Sequence, residues 1–166
     1  LTVSQWFKTY GFADVSDDLL IGAYPQDAQD VAKLQRLGVN RILNLVEDGE
    51  YEPGAREAVV EALAHTEIEE ERLRFADYGH LPPVVLDAAV EIIGGWLDED
   101  RRVYVHCRAG WQRSAAVAAA VIAARQGLDI ERALAQVQVR KPSADPLPHQ
   151  REDLDRWWQE RQRRAA

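Results

Sequence analysis

Residues His106 to Ser114, HCRAGWQRS, hold the chain's only cysteine, and an arginine stands six positions after it. A thiol and a guanidinium bracketing a short run are the pieces needed to attack a tetrahedral oxyanion and to hold it during displacement. Cys107 as thiolate supplies the nucleophile. Arg113 supplies a planar fork that grips two phosphoryl oxygens at once, which a lysine ammonium does less well. Gly110 lets the main chain turn an amide toward the anion. Ser114 can donate a hydrogen bond to the sulfur when it leaves as thiolate, and His106 can fix the loop or tune the thiol. Arg108, Ala109, Gly110, Trp111 and Gln112 then form the phosphate-binding run, in which Arg108 adds one positive charge beside the nucleophile.

Such a run works only if its neighbours aim it. The stretch 102–106 reads as a short buried strand, and SAAVAAAVIAARQG (114–127) as an apolar, central helix. Strand, tight turn and helix direct backbone N–H groups and a helix N-terminus at one point, a nest that binds anions and favours thiolate over thiol. The rest of the chain alternates in the same way. Strands are predicted at 18–25, 39–46 and, as a polar edge, 66–75; helices are predicted at 27–38, 55–66, 84–100, 129–141 and from His149 to about Arg163. This order predicts an α/β fold with a mostly parallel central sheet flanked by helices, in one domain spanning 1–166.

A displacement of this kind is helped by a carboxylic acid on a loop beside the nucleophile that can give a proton to the departing group. Asp77, in RFADYGHLPP, follows a strand, precedes a proline-terminated loop and lies 30 residues before Cys107. Asp145, in KPSADPLP, is the competing acid. Asp87 and Asp98 read as solvated helix-face residues, and His80 as an exposed loop residue with a place over the pocket as its alternative.

Composition narrows the classes. One cysteine excludes an intramolecular disulfide framework and a cysteine-rich zinc site. The four histidines lack H-E-x-x-H spacing, so no metal and no cofactor are expected. A formal charge of −8 over 166 residues argues against nucleic acid as a partner. No run of 18 or more apolar residues predicts a membrane span, and a reducing, cytoplasmic setting is expected. The chain opens at Leu1 and has no methionine, which reads as a trimmed segment, with any targeting stretch before it left open.

HCRAGWQRS resembles the H-C-x5-R-S/T signature of the protein tyrosine phosphatase superfamily, and the length and layout resemble its compact dual-specificity branch. LLIGAYP is similar to that family's first strand, GVNRILNLVED to its second, and RVYVHCRAGWQRS to its catalytic strand and loop. The resemblance implies a metal-independent phosphomonoesterase with a phosphocysteine intermediate on Cys107, phosphoryl binding by Arg113 and general acid catalysis by Asp77. It implies phosphotyrosine as substrate, with phosphoserine and phosphothreonine of proteins or peptides as further candidates. GAYP, NLVEDGEYEP and VYVHCRAGWQRSAA are also similar to phosphatases of phosphatidylglycerophosphate, with Arg108 after the cysteine and Glu47, Glu50, Tyr51 and Glu52 after the second strand. A phospholipid, either phosphatidylglycerophosphate or a phosphoinositide, is therefore the alternative substrate. The loop lacks the two lysines of phosphatases that act on heavily charged inositol phosphates. Trp111 is unusual for the branch, is matched in myotubularin-like lipid phosphatases, and alternatively packs under the loop. A phosphate-binding pseudoenzyme and a rhodanese-like sulfurtransferase, whose loop is usually one residue shorter, are lesser alternatives. The oligomeric state is left open.

Overall fold

The computed structural model describes residues 2–166. Its strands are β1 (Phe12–Ser16), β2 (Leu19–Gly22), β3 (Arg41–Asn44), β4 (Glu69–Arg72) and β5 (Val103–His106). They form one sheet in the order β1-β2-β5-β3-β4, antiparallel only where β1 meets β2. Every residue of β2, β3 and β5 is buried, as expected of parallel strands covered on both faces. The sequence of β4, EEER, cannot be buried on both faces; it sits at the sheet edge, alternating exposed and half-buried positions.

The helices are α1 (Gln5–Tyr10), α2 (Ala28–Arg36), α3 (Ala55–Ala64), α4 (Pro83–Asp98), α5 (Arg113–Gln126), α6 (Ile130–Arg140) and α7 (Pro148–Ala165). Period-two alternation divides them between two layers. Leu20, Ile42 and Tyr104 pack with Phe7, Val31, Leu34 and Val59 of α1, α2 and α3. Ile21, Leu43, Val103 and Val105 pack with α4 to α7. Central in that second layer lies α5, in which the stretch Ala115–Ala120 is wholly buried. Its alanines keep side-chain volume small, so the helix can be enclosed by the sheet, α4 and α6 together.

The sheet and the helices after β2 follow the sequence reading closely. Helix α5 starts at Arg113 rather than Ser114, a one-residue difference at a helix end. Residues 1–17, unassigned from sequence, contain α1 and β1. A cap marks α1: the Ser4 hydroxyl accepts from Phe7 N at 3.3 Å, and Gly11 follows the last helical residue. Asp87 is partly exposed, and it also accepts from the indole Nε1 of buried Trp157 at 2.8 Å, a contact the sequence reading did not foresee. Leu154 and Trp157 of α7 dock on the core as expected. Among the described residues, no helix is long and apolar enough to cross a membrane.

Because α5 is enclosed on all sides, adding volume there has nowhere to go. Ala118→Leu should lower unfolding free energy by about 1–3 kcal/mol, read by urea denaturation; an unchanged midpoint would mean that the packing around α5 is looser than described.

Candidate active site

The parallel strands all end at one edge of the sheet, where open α/β folds generally bind ligands. Three connections leave that edge and meet. Residues 107–112 follow β5, Glu50 lies in a 3-10 turn (Asp48–Glu50) after β3, and Asp77 follows β4. Between them lies a cavity of about 290 Å³. The β5–α5 loop lines it with Cys107, Arg108, Ala109, Trp111, Gln112 and Arg113; Asp77 and Tyr78 line it from the loop after β4, and Trp6 and Tyr10 from α1.

The loop after β5 has its peptide groups sorted by polarity. Carbonyls at and beside it are engaged by neighbours: His106 O accepts from Leu45 N, Arg108 O from Tyr24 N and from the indole of Trp6, Trp111 O from Asp145 N, and Gln112 O from Ala116 N. The amide N–H groups of residues 108–113 have no acceptor among the described residues. An array of free amides around a thiol is an anion site. Gly110 makes the bend possible: its φ is 78°, and a Cβ there would stand 2.6 Å from the carbonyl carbon of Gly22.

Cys107 is 3% exposed, and its Sγ lies 3.3 Å from the Ser114 hydroxyl. The Arg113 guanidinium is buried; its Nη1 donates to Glu50 Oε2 at 2.9 Å and to Phe75 O at 3.0 Å, and its Nη2 donates to Glu50 Oε1 at 2.6 Å. Asp77 Oδ1 lies 3.2 Å from the same Nη2. Burial works against the arginine's charge, but Glu50, Cys107 and Asp77 outweigh it and hold its pKa above the ordinary value. Nε keeps no partner among the described residues, so an Nε–H and one Nη2–H are available for two oxygens of a bound anion.

Sequence reasoning missed the role of Glu50 as the clasp of Arg113. It had grouped Glu50 only with an acidic stretch, although a buried arginine requires a nearby carboxylate. It also missed Trp6 and Tyr10. Helix α1 is fixed at three points: Ser4 N and Oγ donate to buried Asp30 at 2.8 and 2.6 Å, Trp6 reaches the catalytic loop, and buried Lys141 Nζ approaches Tyr10 O at 3.4 Å. Trp111 does not pack under the loop; it is 43% exposed and meets Tyr10 edge-on, with ring centroids 5.4 Å apart. Arg108 lies 5.3 Å over the Trp6 ring. Asp145 lies outside the cavity lining, its carboxylate accepting from Arg151 at 2.6 Å, whereas Asp77 lines the cavity. His80 does not cover the pocket either, its ring engaging Asp153 at 2.8 Å. Asp98 is exposed and accepts from Arg125 at 3.0 Å.

A family profile described as "Dual specificity phosphatase, catalytic domain" matches residues 19–160. No curated protein matches the sequence. Among solved structures, PTPMT1 in complex with PI(5)P is similar at a TM-score of 0.80 and 23% identity, over 93% of this chain and 99% of that one. A mouse putative dual specificity phosphatase, complexed with zinc tungstate, is similar at 0.73 and 25% identity, over 93% and 90%. Human DUSP28 is similar at 0.72 and 21% identity, over 91% and 95%.

His106 gives this site a pH signature. It is wholly buried, with Nδ1 3.3 Å from Cys107 O. Burial, only partly offset by Glu70, lowers its pKa from 6.5 to about 4. The ring is therefore neutral at physiological pH and orients the loop without adding charge. Between pH 6.5 and 4 the unfolded chain takes up a proton that the native chain refuses, so stability present above the upper value is lost as pH falls. From pH 7 to pH 4, urea unfolding should show His106→Asn losing about 3 kcal/mol less than the native chain; equal losses would place the ring in contact with water.

Proposed function

We propose a reaction from one premise: the chain belongs to the dual specificity phosphatase family and is a metal-independent cysteine phosphatase. The substrate phosphoryl group sits on the free amides of residues 108–113, with two oxygens on Nε and Nη2 of Arg113. The Cys107 thiolate attacks phosphorus in line, the ester P–O bond breaks, and Asp77 gives its proton to the departing oxygen. Water then attacks the phosphocysteine while the Asp77 carboxylate takes its proton. The P–S bond breaks, phosphate leaves, and the Ser114 hydroxyl donates to the regenerated thiolate. The observation that carries this reading is the loop itself, with the carbonyls of Arg108, Trp111 and Gln112 taken by neighbours and the amides of residues 108–113 unclaimed beside one buried cysteine. Residues 1–166 act together as one catalytic domain, since Trp6 and Tyr10 complete a cavity whose chemistry comes from residues 77–114.

Phosphotyrosine fits this cavity best. With Cys107 only 3% exposed, a substrate must carry its phosphate on an arm long enough to reach it. The rings of Trp6, Tyr10, Tyr78 and Trp111 stand along the way, and aromatic surfaces favour a phenyl arm through offset or edge-on contact. A second reading, a lipid phosphomonoester, is supported by the similarity to PTPMT1 solved with PI(5)P and by Arg108 beside the nucleophile. Among the described residues, Arg108 and Arg113 are the only cations lining the cavity, which suits one phosphate rather than several. A net charge of −8 opposes approach to an anionic membrane surface.

Hydrolysis of para-nitrophenyl phosphate should persist in excess chelator and be blocked by vanadate. Cys107→Ser should lose turnover while still binding phosphate, and full activity in that variant would falsify the mechanism. On a panel of phosphotyrosine peptide, phosphoserine peptide and phosphatidylglycerophosphate, the first should be turned over fastest. Trp6→Ala should lower kcat/KM on the phosphotyrosine peptide by about three- to tenfold. Preference for the lipid, with no effect of Trp6→Ala, would transfer the assignment to the second reading.

A further inference from the structure

Asp77 is presented by a tight turn, Ala76 to Gly79, closed by Gly79 N donating to Ala76 O at 2.9 Å. The turn is not a relaxed one. Tyr78 occupies the left-handed region at φ 61°, unfavourable for a bulky residue, and a Cβ on Gly79 would come 2.8 Å from the Ala76 side chain. Such a conformation persists where surrounding contacts over-determine it.

Those contacts come from the first turns of α7. His149 Nε2–H donates to Tyr78 O at 2.8 Å, and Gln150 Nε2–H donates to Gly79 O at 3.1 Å. Asp153 Oδ2 accepts from Leu81 N at 2.9 Å and meets His80 Nδ1 at 2.8 Å. Gln150 is wholly buried and Asp153 is 8% exposed. Three neighbouring polar side chains of one helix thus address the backbone of a single loop. At the loop's other end Arg113 holds Phe75 O and lies beside Asp77.

Building on the assignment of Asp77 as general acid, we propose that His149, Gln150 and Asp153 are positioning residues for proton transfer. By fixing the carbonyls of Tyr78 and Gly79 and the amide of Leu81, they hold the strained turn in the one shape that sets the Asp77 carboxyl against the Arg113 fork. Without them the turn relaxes, and the carboxyl moves away from the leaving oxygen while the thiolate, the amides and the arginine stay in place. The phosphate site and the acid are therefore separable: β5 and α5 build the first, and α7 sets the second.

The test is the dependence of kcat/KM on the leaving group, because a good leaving group needs no proton and a poor one does. In the full-length enzyme, His149→Ala and Gln150→Ala should each lower kcat/KM for phenyl phosphate about tenfold, with para-nitrophenyl phosphate within about twofold of the native rate. Vanadate inhibition should keep its native strength. Asp77→Asn is the reference and should separate the two substrates further. If Asp77→Asn separates them and His149→Ala does not, the positioning proposal is wrong and the acid assignment stands. If Asp77→Asn fails to separate them, the acid assignment falls and the proposal with it. Gln150 also accepts from Leu147 N at the start of α7; should its variant not fold, the half-buried His149 decides the matter alone.

Discussion

A guanidinium with 1% of its surface exposed, clasped on both Nη atoms by Glu50, is the contact through which the rest of the site is assembled. Removing two charges from water is costly, and such a pair persists only with good geometry and further hydrogen bonds. Here the geometry is bidentate, and Phe75 O supplies an additional acceptor. The pair joins the connection after β3, the loop after β4 and the start of α5, three segments far apart in sequence. A lysine could not join them in the same way, since it offers one point charge in place of a planar fork. The clasp also fixes which N–H groups of the arginine remain for a ligand.

Around that clasp the fold brings the reactive groups together without relying on their own attraction. Three fully buried strands set the height at which their connections emerge, and the alanine-rich α5 holds the loop's end against the sheet. The loop itself is held by partners that take the carbonyls of Arg108, Trp111 and Gln112. An anion is then bound by amides already in position, with little reorganisation left for the moment of reaction. His106, neutral and enclosed, belongs to this scaffold and adds no charge beside the sulfur.

Much of this was legible in the sequence, for definite reasons. The spacing from Cys107 to Arg113, with a strand-like run before and an apolar helix after, is a local pattern, and local patterns survive in a linear reading. The element order after residue 18 could be followed because each segment carries its own periodicity. The place of Asp77 followed from that order. What stayed hidden depends on long-range pairing. Nothing near Glu50 announces that its carboxylate meets an arginine 63 positions later, and nothing near Trp6 announces a carbonyl 102 positions away. Helix α1, with six residues, is too short to show a periodic face, although Ser4 and Gly11 bracket it. The partner of Asp87 stayed hidden for the same kind of reason: that indole lies 70 positions away.

The aromatic wall has a consequence for how such a molecule can change over time. Trp6 and Tyr10 lie before Leu19, outside the stretch that carries the family pattern, whereas the reacting groups all lie inside it. One side of the cavity is thus written on a portion of the polypeptide apart from the one that carries Cys107, Arg113 and Asp77, while Tyr78 and Trp111 line it from within the family stretch. The leading portion touches the catalytic loop chiefly through one indole hydrogen bond and a few ring contacts. Substitutions at Trp6 or Tyr10 would reshape that side of the cavity without altering the segment from Asp77 to Arg113. The architecture is modular in that sense: one wall of the cavity can vary while the loop it faces keeps its form.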